Sequence, residues 1–387
     1  MSIKLVKDTI DVDDINKLIE WLKTNPRLTK GELTTTFEDL WSKWLGSKYS
    51  VFVNSGSSAN LAAIYSLILS GKLKNNKIIV PAVSWVTTVT PAIQLGLTPI
   101  MCDCDMDNLG LDINHLKTLI KEENPSVIIL VHVLGFPNHM TEIIELCKEN
   151  DILLIEDTCE SIGSKYGEKH LGTFGDLSTF SFYFGHHMST IEGGMISTDN
   201  EDLYHILLSI RSHGWDRDLP TSKQKELREK YKVNDFKSLY TFYYPGFNLR
   251  ATDLQAFIGI QQMDKLDHIV ESRYKNYLRY KEGINNSFWN VSPTSNSYVS
   301  NFSYPIITKN LDRLITELQN NDIECRPLIC GSINEHPFWY ERYGKQELPN
   351  SKLVHEYGLY LPNNHQMTEE EVTKVIKIVN ENIWENY

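Results

Sequence analysis

The chain has 387 residues, 41% hydrophobic and 23% charged, which predicts two or three packed domains of ordinary globular composition. A formal charge of -12 excludes non-specific DNA or RNA binding, whose affinity rests on neutralised phosphates, but leaves room for one local basic pocket. The segment from Met1 to Asp8 lacks a signal-peptide core, and no apolar run reaches the ~18 residues of a membrane span, so the expected setting is the cytoplasm, away from membranes.

In chain order, amphipathic helical stretches around Ile15 to Leu22 and Phe37 to Leu45 come first. Short β-rich runs then alternate with helical segments: Tyr49 to Val53, Lys77 to Val80, Pro99 to Cys104, Val127 to Val133, Ile152 to Ile155, Leu177 to Phe184 and Gly194 to Ser197. Continuous apolar strands separated by helices predict an α/β fold with a mainly parallel sheet covered on both faces. The charged, weakly periodic stretch from Thr221 to Tyr240 reads as a surface excursion. A long helix beginning near Thr252 and passing Gln261 and Leu266 leads into a smaller C-terminal part. The expected division is a large domain of residues 1–250 and a smaller α+β domain of residues 251–387. Thr368 and Glu371 form a capping box, after which Val372, Val375, Ile376, Val379 and Ile383 fall on one helical face. The six cysteines (Cys102, Cys104, Cys147, Cys159, Cys325 and Cys330) lack paired CxxC spacing. They predict no metal site and read as thiols of a reducing compartment.

Three segments carry chemistry. Asn54-Ser55-Gly56-Ser57-Ser58-Ala59-Asn60-Leu61 follows a strand and opens an apolar helix. Its free amides, with Gly56 allowing close approach, suit a phosphate; the same residues also suit a plain helix cap. Glu156-Asp157-Thr158-Cys159-Glu160 follows the run Ile152 to Ile155. A carboxylate at the end of such a strand faces the ligand crevice and can hold a protonated pyridine nitrogen, or it can simply cap the next helix. From Ser181 to Gly194 a strand enters a polar turn containing His186 and His187 and returns through Gly193 and Gly194.

The order of these blocks, with Pro81-Ala82-Val83-Ser84-Trp85 and Gly246-Phe247-Asn248-Leu249-Arg250, resembles the sugar aminotransferases of the DegT/DnrJ/EryC1/StrS family over about residues 31–327. The resemblance implies the aspartate-aminotransferase-like fold of pyridoxal phosphate (PLP) enzymes, fold type I. Relatives carry a lysine six residues before the Glu-Gly-Gly element, where Glu192 fixes His186 here. That histidine, with Ile191 in place of the usual glycine and the Ile323-Glu324-Cys325-Arg326-Pro327 stretch, resembles the subgroup of GDP-4-keto-6-deoxymannose 3-dehydratases.

By resemblance, Gly56, Ser57, Ser58 and Ser181 surround the cofactor phosphate, Trp85 stacks on the ring, Asp157 pairs with the pyridine nitrogen and Glu160 supports the ring site. Asn248 reaches the phosphate of a neighbouring subunit, which implies a homodimer with shared active sites. His213, Trp215, Arg250 and Arg326 are candidate contacts to sugar or nucleotide, or else interface and core features.

A lysine here would hold the cofactor as an imine; histidine cannot form that stable link. Pyridoxamine phosphate (PMP), held by charge-assisted hydrogen bonds, becomes the expected resting form. The implied reaction is removal of the C3 hydroxyl from a nucleotide-linked 4-keto-6-deoxy sugar. His186 serves as base and then acid, since an unperturbed imidazole titrates near pH 6.5, and L-glutamate restores the amine. An iron–sulfur-dependent sugar dehydrase needs about four clustered thiolates, yet no cysteine lies between Cys159 and Cys325, so no reductase partner is expected. A histidine-tolerant aminotransferase and a non-catalytic binding subunit are the remaining rivals.

Overall fold

The computed structural model describes residues 2–285 and 289–383. The helix Val12–Lys23 is opened by Asp11, which forms a capping box with Asp14, and the helix Glu32–Leu45 buries Phe37 and Trp41. The main sheet takes β1 (Tyr49–Val53), β2 (Lys77–Pro81), β3 (Thr98–Cys102), β4 (Val127–Val131) and β5 (Leu153–Asp157). A two-strand ribbon of β6 (Lys165–Tyr166) and β7 (Lys169–His170) intervenes before β8 (Leu177–Ser181) and β9 (Gly194–Thr198) complete the sheet. The seven strands lie in the order β1-β9-β8-β5-β4-β2-β3, with β9 antiparallel to both its neighbours and the others parallel. The strands are rich in Val, Ile and Leu and buried on both faces, as a covered parallel sheet requires.

The long helix Asp253–Gly283, opened by a Thr252–Gln255 capping box, packs against the helix Glu32–Leu45 and also against the C-terminal helix Glu369–Asn382. Beyond it, β10 (Ser297–Tyr298) joins the small ribbon. Strands β11 (Tyr304–Ile307), β12 (Arg326–Pro327) and β13 (Gly358–Leu361) form an antiparallel sheet in the order β11-β13-β12. The helices Leu311–Asn320 and Glu369–Asn382 contact each other, and Leu314, Leu318, Val375 and Val379 share one core with the β11 and β13 side chains. The Thr368–Glu371 capping box is formed. Residues at the start of the chain join this part: Ile3 bridges Ile323 in parallel.

Several boundaries differ from expectation. Strand β5 continues through Glu156 and Asp157, because both pair with β4 and β8. Strand β8 stops at Ser181, where the chain turns towards His186. The excursion after Leu219 contains the helices Thr221–Tyr231 and Asp235–Ser238, the first of which buries only Leu227. Among the described residues no helix is long and apolar enough to cross a membrane. All six cysteines are free thiols.

Candidate active site

The carboxyl ends of β4, β5 and β8 open on a cavity of about 660 Å³, whose opposite wall comes from the C-terminal sheet. At its floor the helix Gly56–Leu69 begins. Ser55 caps it, its Oγ accepting from Ser58 N–H at 3.1 Å and lying 3.0 Å from the Ser58 hydroxyl. Ser58 is therefore turned towards the cap, and Ser55, Gly56 and Ser57 line the cavity, not Ser58 as expected. A Cβ on Gly56 would lie 2.7 Å from Ser181 Cβ, and one on Gly194 would lie 2.3 Å from the Ser55 carbonyl. Only glycine lets the helix start sit flush against β8 and β9. The result is a bare amide turn flanked by the Ser57 and Ser181 hydroxyls, which suits a phosphate.

Asp157 ends β5 with its carboxylate buried. Its Oδ2 accepts from Asn60 Nδ2 and from Thr88 Oγ1, both at 2.8 Å, and its Oδ1 accepts from Cys159 N–H at 3.1 Å. Asn60 is held in turn by Thr179, whose hydroxyl donates to Asn60 Oδ1 at 2.6 Å. Asn60, Thr88 and Thr179 were not anticipated. Asn60 stands one helical turn after Gly56, a spacing that places it over the strand ends. Glu156, adjacent in the strand, points to the other face and never reaches the cavity. It accepts from Gly172, Phe174 and Gly175 N–H and pairs with buried His132 at 3.1 Å, tying a loop to the sheet.

His186 follows the turn after β8, its backbone N–H donating to the Tyr183 carbonyl at 2.9 Å. Its ring lies 5.3 Å from the Phe302 ring, and Nδ1 is buried without a hydrogen-bond partner. Burial pushes its pKa down to about 4, against weaker pulls upwards from the Cys159 backbone and the Asp157 charge. The expectation of a near-neutral titration is thus corrected: in the free protein this imidazole is a neutral base. His187 is different, with Nε2 bonded to the Ser300 carbonyl at 3.0 Å in the core. The turn closes through Ile191, a β-branched residue at φ 73°.

Glu160 also lines the cavity. Burial raises its pKa to about 8, opposed by the hydrogen bond that its Oε2 accepts from Leu134 N–H at 2.9 Å. Trp85 stands at the start of the helix Val86–Gln94 with its indole 55% exposed, an apolar face open to a stacked ring. From the C-terminal wall come Phe302, Ser303, Glu324, Arg326 and Tyr360, and from the chain's first residues Lys4, Leu5 and Val6. Apart from Arg326, none of these wall residues was foreseen. The amide cradle that a Cβ would fill and the tethered carboxylate of Asp157 fit a phosphorylated pyridine cofactor.

Asn248, His213, Trp215 and Arg250 do not line this cavity. Backbone bridges join Asn248 to Ser212 and Arg250 to Val53 at the end of β1. His213 and Arg250 gather instead around Trp215, whose ring lies 5.1 Å from His213 and 6.0 Å from the Arg250 guanidinium. Among the described residues, no group of three or more His, Cys, Asp or Glu side chains is arranged to hold a metal ion.

A family model described as the DegT/DnrJ/EryC1/StrS aminotransferase family matches residues 8–380. The chain is 34% identical to GDP-4-keto-6-deoxy-D-mannose 3-dehydratase of Yersinia pseudotuberculosis over 98% of each chain. The solved structure of the E. coli GDP-4-keto-6-deoxy-D-mannose-3-dehydratase with bound hydrated PLP is 32% identical, with a TM-score of 0.90, over 98% of this chain and 100% of that one. A GDP-4-keto-6-deoxymannose-3-dehydratase structure with a trapped PLP-glutamate geminal diamine is also 32% identical, with a TM-score of 0.89, over 97% and 99% of the two chains.

Proposed function

Because this chain belongs to the DegT/DnrJ/EryC1/StrS aminotransferase family, we propose that it removes the C3 hydroxyl of a GDP-linked 4-keto-6-deoxy sugar, using PMP and L-glutamate. The observation that carries this reading is His186, which stands where a cofactor-linking lysine would be and has a bare, buried Nδ1. When bound, the cofactor supplies an amine that condenses with the C4 ketone and a pyridine ring that takes up electrons.

The chain's residues do the rest. Gly56, Ser57 and Ser181 hold the phosphate, with Ser55 keeping Ser58 turned to the cap. Trp85 covers one face of the ring. Asp157, fixed by Asn60 and Thr88, pairs with the pyridine nitrogen and keeps it protonated. His186 accepts a proton as a neutral imidazole and delivers it to the C3 oxygen, which leaves as water. With a folded pKa of about 4 the protonated ring is a strong acid, suited to the second step. Glu160 supports the ring from the C-terminal side as a carboxyl that burial keeps largely protonated near neutral pH. Overall, one sugar and one glutamate give one 4-keto-3,6-dideoxy sugar, one 2-oxoglutarate and one ammonia.

The same reading makes the protein a homodimer. His213, Trp215 and Arg250 lie together, and neither they nor Asn248 line their own chain's cavity, as expected of residues serving a partner's phosphate and nucleotide. Six reduced thiols and a nucleotide-sugar substrate fit the cytoplasm.

Incubation with glutamate and GDP-4-keto-6-deoxymannose, followed by mass spectrometry and assays for ammonia and 2-oxoglutarate, tests the proposal. The three products should form in equal amounts, unaffected by NADH or an added reductase. An amino sugar product, or turnover driven by a nicotinamide without glutamate, would overturn it.

A further inference from the structure

The cavity's outer wall is built by two segments more than 300 residues apart. Ile3 N–H donates to the Asp322 carbonyl at 2.8 Å, and Glu324 N–H donates to the Ile3 carbonyl at 3.0 Å. Asn364 Nδ2 donates to the Lys4 carbonyl at 2.7 Å, fixing the strap from its other side. Glu324 and Arg326 are two residues apart on one extended segment and both reach the cavity. Lys4 Nζ pairs with Glu324 Oε1 at 2.7 Å, while Oε2 accepts from Leu5 N–H at 3.0 Å.

Both oxygens of Glu324 are therefore engaged. Arg326 is exposed, its guanidinium donates to the Cys325 carbonyl at 3.1 Å, and it has no carboxylate at ion-pair distance. Lys4 and Arg326 are the only lysine or arginine side chains among the described residues lining the cavity, and Glu324 already neutralises one of them. The trio has a net charge of +1. That matches one carboxylate better than a diphosphate, which brings about twice the negative charge. The position is equally telling: His186 and Asp157 lie at the buried floor, and Arg326 stands at the rim.

We propose that Arg326, framed by the Lys4–Glu324 pair, is the subsite for the side-chain carboxylate of the amino donor, selecting an α-amino dicarboxylate. This rests on the function proposed above and assigns Arg326 to the donor instead of the sugar or nucleotide. An amino group reacting at the floor directs the donor's far end outwards to the rim, where a guanidinium can take a carboxylate in bidentate fashion. Glu324 has an opposing effect. Its negative charge lies close enough to Arg326 for the two to interact, so it repels the same carboxylate and limits affinity. Removing that charge should therefore tighten donor binding, whereas damage to the wall would weaken it.

The two half-reactions separate the outcomes. In one arm, full-length protein loaded with PLP is mixed with glutamate or glutamine, and loss of the bound aldehyde absorbance gives the donor's Kd. In the other, PMP-loaded protein is mixed with the GDP-linked 4-keto sugar in a single turnover. Arg326→Gln should raise the Kd for glutamate roughly 10- to 100-fold, the worth of a charge-assisted hydrogen bond, and erase the preference over glutamine. The sugar arm should change by less than about 3-fold, within the range of a remote surface substitution. Glu324→Gln should lower the glutamate Kd. Loss confined to the sugar arm would assign Arg326 to the diphosphate and overturn the proposal, as would equal loss in both arms or weaker glutamate binding by Glu324→Gln. Failure of the unsubstituted protein to react with glutamate at all would instead defeat the proposed function itself.

Discussion

Replacing His186 by asparagine should make the cofactor-free protein less sensitive to acid. In the folded chain burial lowers the imidazole's pKa from 6.5 to about 4, because the charged ring would lose water and gain no new partner at Nδ1. Between those values the unfolded chain binds a proton that the folded chain refuses. Stability from this group is therefore complete above pH 6.5, falls as the pH drops through that window, and loses nothing more below about 4. At 1.36 kcal/mol per pH unit the full loss is about 3 kcal/mol. Asparagine keeps a planar polar group and has no charge to acquire, so His186→Asn should change stability little at pH 7 and recover up to that amount near pH 4. Urea denaturation of both proteins across pH 4 to 7 measures it. The stability–pH curve of the variant should be shallower by up to one proton. Other histidines whose pKa is pushed down by partial burial, His170 and His365 among them, contribute the same sign to both proteins and cancel in the difference. Parallel curves would refute the idea that a neutral imidazole waits at the floor of the cavity.

Two further outcomes follow from the site. Borohydride should leave no covalent cofactor on the native protein, whereas His186→Lys should acquire a reducible imine with visible absorbance and lose dehydration; a borohydride-stable adduct on the native chain would contradict the assignment. Mixing an Asn248→Ala chain with a His186→Ala chain should restore activity in hybrid dimers carrying one intact site, up to roughly a quarter of native activity if half the dimers are hybrids and subunits exchange freely. Absence of recovery in dimers shown to exchange would mean that each site is built within one chain.

What could be read in the sequence was what is local. Continuous apolar runs marked the strands of the main sheet, and the Ser-Gly-Ser-Ser turn marked the phosphate cradle. The fixed distance back from Glu192 identified His186. Ending β5 at Ile155 concealed the alternation that sends Asp157 to the cavity and Glu156 to the opposite face, although the two-residue period of a strand contains that information. Asn60, Thr88 and Thr179 come from a helix, a second helix and a strand, and no linear motif joins them. The low pKa of His186 depends on what surrounds the ring after folding, so residue type alone pointed to the unperturbed value. Asn248, His213, Trp215 and Arg250 were grouped with the site by resemblance alone, and none of them lines the cavity of its own chain.

The strap of residues 3–6 also has a consequence in time. Lys4 leaves the ribosome early, while Glu324, its partner across 320 residues, follows much later. At synthesis rates of about 5–20 residues per second the strap waits on the order of tens of seconds for its complement. The phosphate cradle and Asp157 can be in place on a nascent chain well before the outer wall exists. The cavity is thus finished from its floor outwards, the earliest-made residues of its wall being among the last to settle.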